Sequence, residues 1–438
     1  AAGIRETAEA AHRALVSCGI WTRDYNPWPI RASCSLKPPK AEFPETESPL
    51  AHRARTDLRE HRAYAIDAAW STDPDDAVSA FDGFFWVHVA DPAAYIEPGS
   101  EADEEACERG ATLYLPEKVV PMLPERAVDM LGLGLAEESK ALSFGIRLDD
   151  EGRISETRIL PSIVRVSRLS YTEADLRLGS GDTLLETLDR AATARRARRM
   201  ANGAIEINLP EVSIAVEKGN PRFVPIEPTR SGEIVREMML MAGEAAAAWA
   251  IQMRVPFVYA SQEGRTESGD DGQAEPALLS AEYKKRKSMR AGGFGVEPLA
   301  HRGLGLPFYS QVTSPLRRYQ DLLTHQQIRR VLASQPHLDE DELARRCLIA
   351  SRGAASTRQA ERDSRLHWTI RYLERHPEWV SEAVVLEARE GGAWILIPEM
   401  GLECRLATRL HLEEDARIRV GLLSSSLSDL EIVMEQRP

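Results

Sequence analysis

Apolar positions recur at two different periods along this chain, and the switch between them divides it into three parts. Near the start, Ile4, Ala8, Ala11, Leu15 and Cys18 fall on one face of a helix over residues 3–19. The stretch SLKPPKAEFPETESP (35–49) then holds four prolines and reads as a linker. Residues 1–50 are therefore expected to form a small helical or winged-helix N-terminal module followed by a Pro-rich linker. Over 51–377 the periods mix. FFWVHVADPAAYI (84–96) reads as a buried strand running into a loop, and ISETRILPSIVRVSRLSY (154–171) alternates as strands do. Residues 184–203, 232–252 and 342–376 keep the helical period; the second is Ala- and Met-rich enough to be buried on most sides, and Pro377 ends the third. Strands first and long helices later predict a mixed α+β domain. From 380 to 438 short alternating strands return with Gly-rich turns, the pattern of a five-stranded barrel of the OB type.

Composition narrows the class without naming it. With 438 residues the chain exceeds one ordinary domain, and 43% hydrophobic with 28% charged residues suits a globular protein. No run approaches the roughly eighteen apolar residues a membrane span requires. The polar helical start does not read as a signal peptide, and its lack of methionine suggests trimming. Five scattered cysteines, with no Cys/His cluster, argue against zinc and a disulfide framework, so a reducing cytoplasm is the expected compartment. The net charge of -13 argues weakly against a polyanion partner, yet a local basic groove can coexist with an acidic exterior. YKKRKSMR (283–290) and ARRARRM (194–200) are basic runs of that kind, to be read either as solvated helix faces or as the lining of one channel. GLGL, at 132–135 and 303–306, lacks the lysine and spacing of a phosphate loop. SQEGRTESGDDGQAEP (261–276) reads as a polar loop.

The sharpest signal is AIDAAWSTDPDDA (65–77), which gathers Asp67, Asp73, Asp75 and Asp76 around Pro74. An EF-hand would need Gly at its sixth position and Glu at its twelfth; counted from Asp73 these are Val78 and Phe84. A solvated acidic loop is the bland alternative, but the flanks YAI and AVSAF are apolar strand. Pro74 should take the segment out of the sheet, letting carboxylates that do not alternate converge. Such a set, with no His or Cys nearby, suits Mg²⁺ or Mn²⁺ rather than zinc. Two such ions about 4 Å apart serve in-line displacement at phosphorus.

HRGLGLPFYSQVTSPLRRYQDLLTHQQIRRVL (301–332) predicts a helix capped by Thr313 or Ser314, with Pro315 at its first position. Arg317 and Arg318 would then lie in the first turn, opposed to the helix dipole unless an anion is bound there. Ion pairs to Asp or Glu are the competing explanation.

These motifs, with VHVADPAAYIEPGSEADEEA, YLPEKVVPMLP, EINLPEVSI and RQAERD, stand in the order and approximate spacing found in the ribonuclease II/ribonuclease R family, which the chain resembles over nearly all of 55–375. The resemblance implies a magnesium-dependent exoribonuclease that degrades single-stranded RNA processively from the 3′ end to 5′-nucleoside monophosphates. It makes Asp67, Asp73, Asp75 and Asp76 the metal-binding and catalytic aspartates and Arg317 the contact to the scissile phosphate. Tyr114 would stack on the 3′-terminal base, Glu361 would stand near the end of the RNA path, and Glu237 would hold a ribose. The implied architecture is a ribonuclease II-type α+β catalytic domain (51–377) followed by an OB-fold RNA-binding domain (380–438). The departure is at the front, where relatives carry two cold-shock-like barrels and this chain has about 50 residues of helical pattern. The expected state is a cytoplasmic monomer with RNA as partner. The competing readings are a catalytically silent RNA-binding protein with the same fold, or a metal-dependent phosphodiesterase acting on DNA or a small nucleotide.

Overall fold

In the computed structural model, residues 7–50, 53–264 and 278–438 are described. The polar loop read at 261–276 therefore lies mostly outside the described residues.

A seven-stranded mixed sheet runs in the order Thr56–Asp57, Ile154–Val164, Ser139–Leu148, Phe84–Ala90, Asp76–Phe81, Ala63–Asp67, Val166–Ser170. Both edge strands lie parallel to their neighbours and the inner pairs are antiparallel. Period-two alternation sorts the side chains. Tyr64, Ile66, Val87, Val89, Leu142, Phe144 and Ile146 pack against helices Thr183–Ala201 and Arg230–Met253, whereas Ala65, Ala77, Ala141 and Val164 face the other way, under Leu58 and Leu133. Helix Arg230–Met253 is alanine-rich where it is buried, and at Gly243 a Cβ would stand 2.4 Å from the Ser310 carbonyl oxygen. Only a glycine lets the segment leading to Arg317 pass that close.

A second core joins helix Glu101–Arg109, helix Tyr319–Leu332 and the start of helix Glu340–Arg375 through Cys107, Tyr319, Leu323 and Cys347. The long helix spans 36 residues, and its last turns put Ile370 and Leu373 into the core of the C-terminal barrel beside Val385, Ile395 and Met434. That barrel is closed, in the order Val380–Arg389, Gly392–Ile397, Leu402–Ala407, Glu431–Gln436, Arg417–Ser426, with Leu402–Ala407 and Glu431–Gln436 parallel. The five-stranded OB arrangement expected from the alternation is present.

The front of the chain departs from expectation in part. Of the two forms expected, the helical one is seen: helix Ala8–Ser17 has Thr7 as its cap, and no strand precedes Thr56, so no winged helix is present among the described residues. Nor is 35–49 a free linker: Ala41 and Phe43 are buried in the second core, and Ala32, Cys34 and Leu36 pack near Leu113 and Ala360. Prolines bar this segment from a sheet, and its few apolar side chains instead seat it along the long helix, with Asp24 paired to Arg371 and Arg375. Among the described residues, no helix is long and apolar enough to cross a membrane, and all five cysteines are free.

Candidate active site

The aspartate loop leaves the sheet as Pro74 predicts. Asp67 ends one strand, Asp76 begins the next, and the two strands pair only at Tyr64–Val78. Backbone bonds from elsewhere hold the loop: Leu133 N–H donates to the Pro74 carbonyl (2.9 Å), Ala90 N–H to that of Asp75 (2.7 Å), and Arg168 Nη2 to that of Ser71 (2.8 Å). The first GLGL thus buttresses the loop rather than binding an anion.

Arg317 arrives differently from the sequence expectation. The helix begins at Tyr319, not Pro315, with Arg318 at its cap position. Residues 315–317 form a turn, and Arg318 is extended because it bridges to Ala111: Thr112 N–H donates to the Arg317 carbonyl (3.0 Å) and Tyr319 N–H to that of Gly110 (3.0 Å). Gly110 makes this crossing possible, since a Cβ there would lie 2.3 Å from the Ala350 carbonyl oxygen of the long helix. Both arginines have carboxylate partners. Arg317 Nε donates to Asp75 Oδ2 (3.0 Å), and Arg318 Nη2 to Asp321 Oδ1 (2.7 Å). Asp75 also accepts from the Leu316 backbone N–H (2.9 Å).

The same crossing delivers Tyr114. Its phenol donates to Asp73 Oδ2 (2.5 Å), and its backbone N–H donates to Glu361 Oε1 (2.8 Å) on the long helix. Tyr114, Arg317 and Glu361 thus line one cavity of about 590 Å³, together with Phe294, His301 and Arg358. The aspartate loop lies behind it, bonded to the first two.

The electrostatics are those of concentrated negative charge. Burial above all raises Asp75 to about 8, against the pull of Arg317, with Asp76 and Asp73 adding repulsion. Loss of solvent raises Asp76 to about 7, and Asp67 adds to it. Asp67 is raised by burial and by Asp73, although Arg317 opposes the shift. Burial also raises Glu361 and the Tyr114 phenol, the latter helped by Asp73.

Among the described residues, no three acidic, imidazole or thiol side chains converge closely enough to hold a metal by themselves. The expectation of four convergent ligands is corrected accordingly: Asp75 is turned to Leu316 and Arg317, and one oxygen of Asp73 to Tyr114. The donor set still fits a hard divalent cation. Magnesium is commonly held by one or two carboxylates plus substrate phosphate, and Asp67 and Asp76, the first raising the second's cost of ionisation, are hard oxygen donors of that kind.

Glu237 is not brought to this cavity; it is buried, with Arg199 Nε donating to it at 3.0 Å. The basic run at 283–290 is no channel lining either, because Lys284, Arg286 and Lys287 pair with Glu414, Glu403 and Glu387 of the barrel. Sequence reading missed Tyr171, close enough to Asp67 and Asp76 for their charges to raise it behind the dominant effect of burial. It also missed His301, Gln311 and Arg358 on the cavity wall, none of which stands in a pattern that singles it out.

A mixed α+β domain with an arginine-lined cavity backed by an acidic loop, joined to a closed OB barrel, is the architecture of a known nuclease family. Residues 55–334 match the RNB domain model and residues 379–436 that of the RNase II-type exonuclease C-terminal S1 domain. The chain belongs to the RNB family, in its ribonuclease II/R branch. It is 32% identical to an uncharacterized ribonuclease of Synechocystis (89% of this chain, 62% of that one) and 30% identical to the chloroplastic/mitochondrial ribonuclease II of Arabidopsis thaliana (92% and 53%). It therefore spans little more than half the length of these relatives. The fold is that of Mycoplasma genitalium RNase R, solved with ribose-methylated single-stranded RNA (TM-score 0.76, 17% identity, 99% and 78% covered). It is also that of yeast Ssd1, a pseudonuclease (TM-score 0.68, 21% identity, 84% and 52% covered).

Proposed function

We propose that the chain is a 3′-to-5′ exoribonuclease that hydrolyses single-stranded RNA processively and releases 5′-nucleoside monophosphates. One observation carries the reading. Tyr114 bridges Asp73 and Glu361, so the side chain available to stack on a terminal base is fixed against the acidic loop, with Arg317 in the same cavity. Stacking is tolerant of sequence, which suits a degradative activity. The outward side of the Arg317 guanidinium is the partner for the scissile phosphate, and Asp75 holds its aim. Asp67 and Asp76, together with substrate phosphate, would hold Mg²⁺ or Mn²⁺, which supplies charge neutralisation at phosphorus and a lowered pKa for the attacking water. Polar groups of the cavity would distinguish RNA from DNA through the ribose 2′-OH. Five unpaired cysteines suit a reducing cytoplasm, and the chain is taken to act as a monomer.

A catalytically silent RNA-binding protein is the alternative, given the likeness to a pseudonuclease. Retention of all four aspartates and Arg317 favours the enzyme. The test is a 5′-labelled single-stranded RNA and its DNA counterpart, each incubated with Mg²⁺ and the full chain. The proposal expects RNA to run down to a short labelled end product without long intermediates, and DNA to persist. RNA that is bound but left whole with every divalent metal would establish the silent reading.

A further inference from the structure

On the far side of the active-site wall, the segment 300–307 turns a second face to the protein. His301 lines the catalytic cavity, whereas its neighbours Ala300 and Arg302 line a separate cavity of about 400 Å³. Opposite them stands the basic run that the proposed reaction leaves unused: Arg195, Arg198, Arg199 and Asn202 project from one face of helix Thr183–Ala201.

The charges here do not balance. Arg195 is paired with Glu244 and Arg199 with Glu237. Among the described residues, Arg198 and Arg302 have no side-chain hydrogen bond or ion pair, although Arg198 is half-buried. Arg195 is 1% exposed, and its Nε–H has no acceptor, while its Nη1 donates to the Gly152 carbonyl at 2.9 Å. A buried N–H of a charged group without an acceptor is costly, and like-charged guanidiniums around one cavity repel. An anion with several acceptor oxygens between Arg198 and Arg302 would relieve the repulsion and give both guanidiniums a partner.

We infer that this cavity is a second anion site, taking a phosphate group between Arg198 and Arg302 with the Asn202 amide beside it. The inference rests on the proposed ribonuclease reading, which supplies two sources of that chemistry: the released mononucleotide and the backbone of the RNA itself. The volume admits a mononucleotide, and the shared wall puts it next to where one is formed.

The test uses the full chain carrying Arg317→Ala, so that the active-site phosphate partner is absent. Calorimetric titration with adenosine 5′-monophosphate and with inorganic phosphate is compared with adenosine alone. The expected result is one site for both phosphate-bearing probes and none for adenosine. Adding Arg198→Ala and Arg302→Ala should weaken binding by at least about tenfold, with substantial recovery in the double lysine variant. In parallel, RNA affinity of the Arg198→Ala/Arg302→Ala chain is measured with Arg317 intact. Loss confined to the mononucleotide assigns the site to product, and loss confined to RNA assigns it to the backbone. Unchanged binding of both overturns the inference. Hydrolysis of RNA by the unaltered chain is scored separately, so failure here is distinguishable from failure of the ribonuclease reading.

Discussion

Asp75 stands directly behind Arg317. Its Oδ2 accepts from the guanidinium Nε at 3.0 Å and its Oδ1 from the Leu316 backbone N–H at 2.9 Å, so one buried carboxylate fixes both the arginine and the chain that carries it. The Arg317 side chain remains 43% exposed, which leaves room for a phosphate at its outer face. Asp75→Asn keeps the shape and one acceptor but puts an amide N–H where the other carboxyl oxygen stood, so only one of the two donors keeps its partner. RNA hydrolysis should fall by about a thousandfold, with RNA affinity within a few-fold of the parent. Single-turnover rates with a labelled RNA check this; a variant that cuts at the parental rate would remove Asp75 from the mechanism.

The same carboxylates make stability depend on pH and metal. Asp75 and Asp76 are raised to about 8 and about 7, above their unfolded value of 3.8. Between those limits the folded state binds more protons than the unfolded one, so stability is lost as pH rises from about 4 towards 8. In chelator, the melting temperature should decline over that range. Mg²⁺ should restore it more at pH 8 than at pH 5, because a cation binds the ionised form. Asp75→Asn should flatten the decline in chelator. Differential scanning fluorimetry across pH, with and without metal, reads all of this. A melting temperature that rises from pH 5 to 8 in chelator contradicts the assignment.

What was legible in the sequence was whatever local chemistry decided. The aspartate cluster, the long helices and the closed barrel follow from residue type and period. What failed was decided by partners distant in sequence. Pro315 invites a helix start, but residues 315–317 form a turn and the bridge of Arg318 to Ala111 delays the helix until Tyr319. The prolines of 35–49 look like a tether, yet Phe43 finds a core that no local pattern announces. Glu237 rested on resemblance alone, and its partner Arg199 lies on a different helix. The run at 283–290 looks like a polyanion groove until the acidic strands of the barrel are seen facing it.

Tyr114 separates stacking from hydrogen bonding. Tyr114→Phe deletes the phenol that bonds Asp73 but keeps the ring, whereas Tyr114→Ala removes the platform. The alanine variant should bind single-stranded RNA more weakly by about 1–3 kcal/mol, the usual worth of one base–aromatic stack. The phenylalanine variant should stay near the parent in affinity. Equal losses in both would mean the phenol matters and the ring does not. Fluorescence anisotropy in the Asp75→Asn background measures affinity without cleavage.

Glu117 ties the N-terminal segment to the hairpin that carries Tyr114. It sits in the turn between Leu113–Leu115 and Lys118–Val120, where Asn26 Nδ2 donates to Oε1 (2.8 Å) and Trp368 Nε1 to Oε2 (2.7 Å). Asn26 also donates to Ser364 (2.8 Å), so the front of the chain, the hairpin and the long helix meet at one carboxylate. Glu117→Ala leaves two donors without their partner and should cost about 1–3 kcal/mol of stability. Glu117→Gln offers one acceptor in place of two, so it should fall between the alanine variant and the parent. Because the clamp touches none of the reacting groups, the loosened hairpin should raise KM for RNA several-fold while kcat stays close to the parental value. A fall in kcat at unchanged KM would instead place Glu117 in the chemical step, and parental kinetics in both variants would show that the hairpin holds Tyr114 without it.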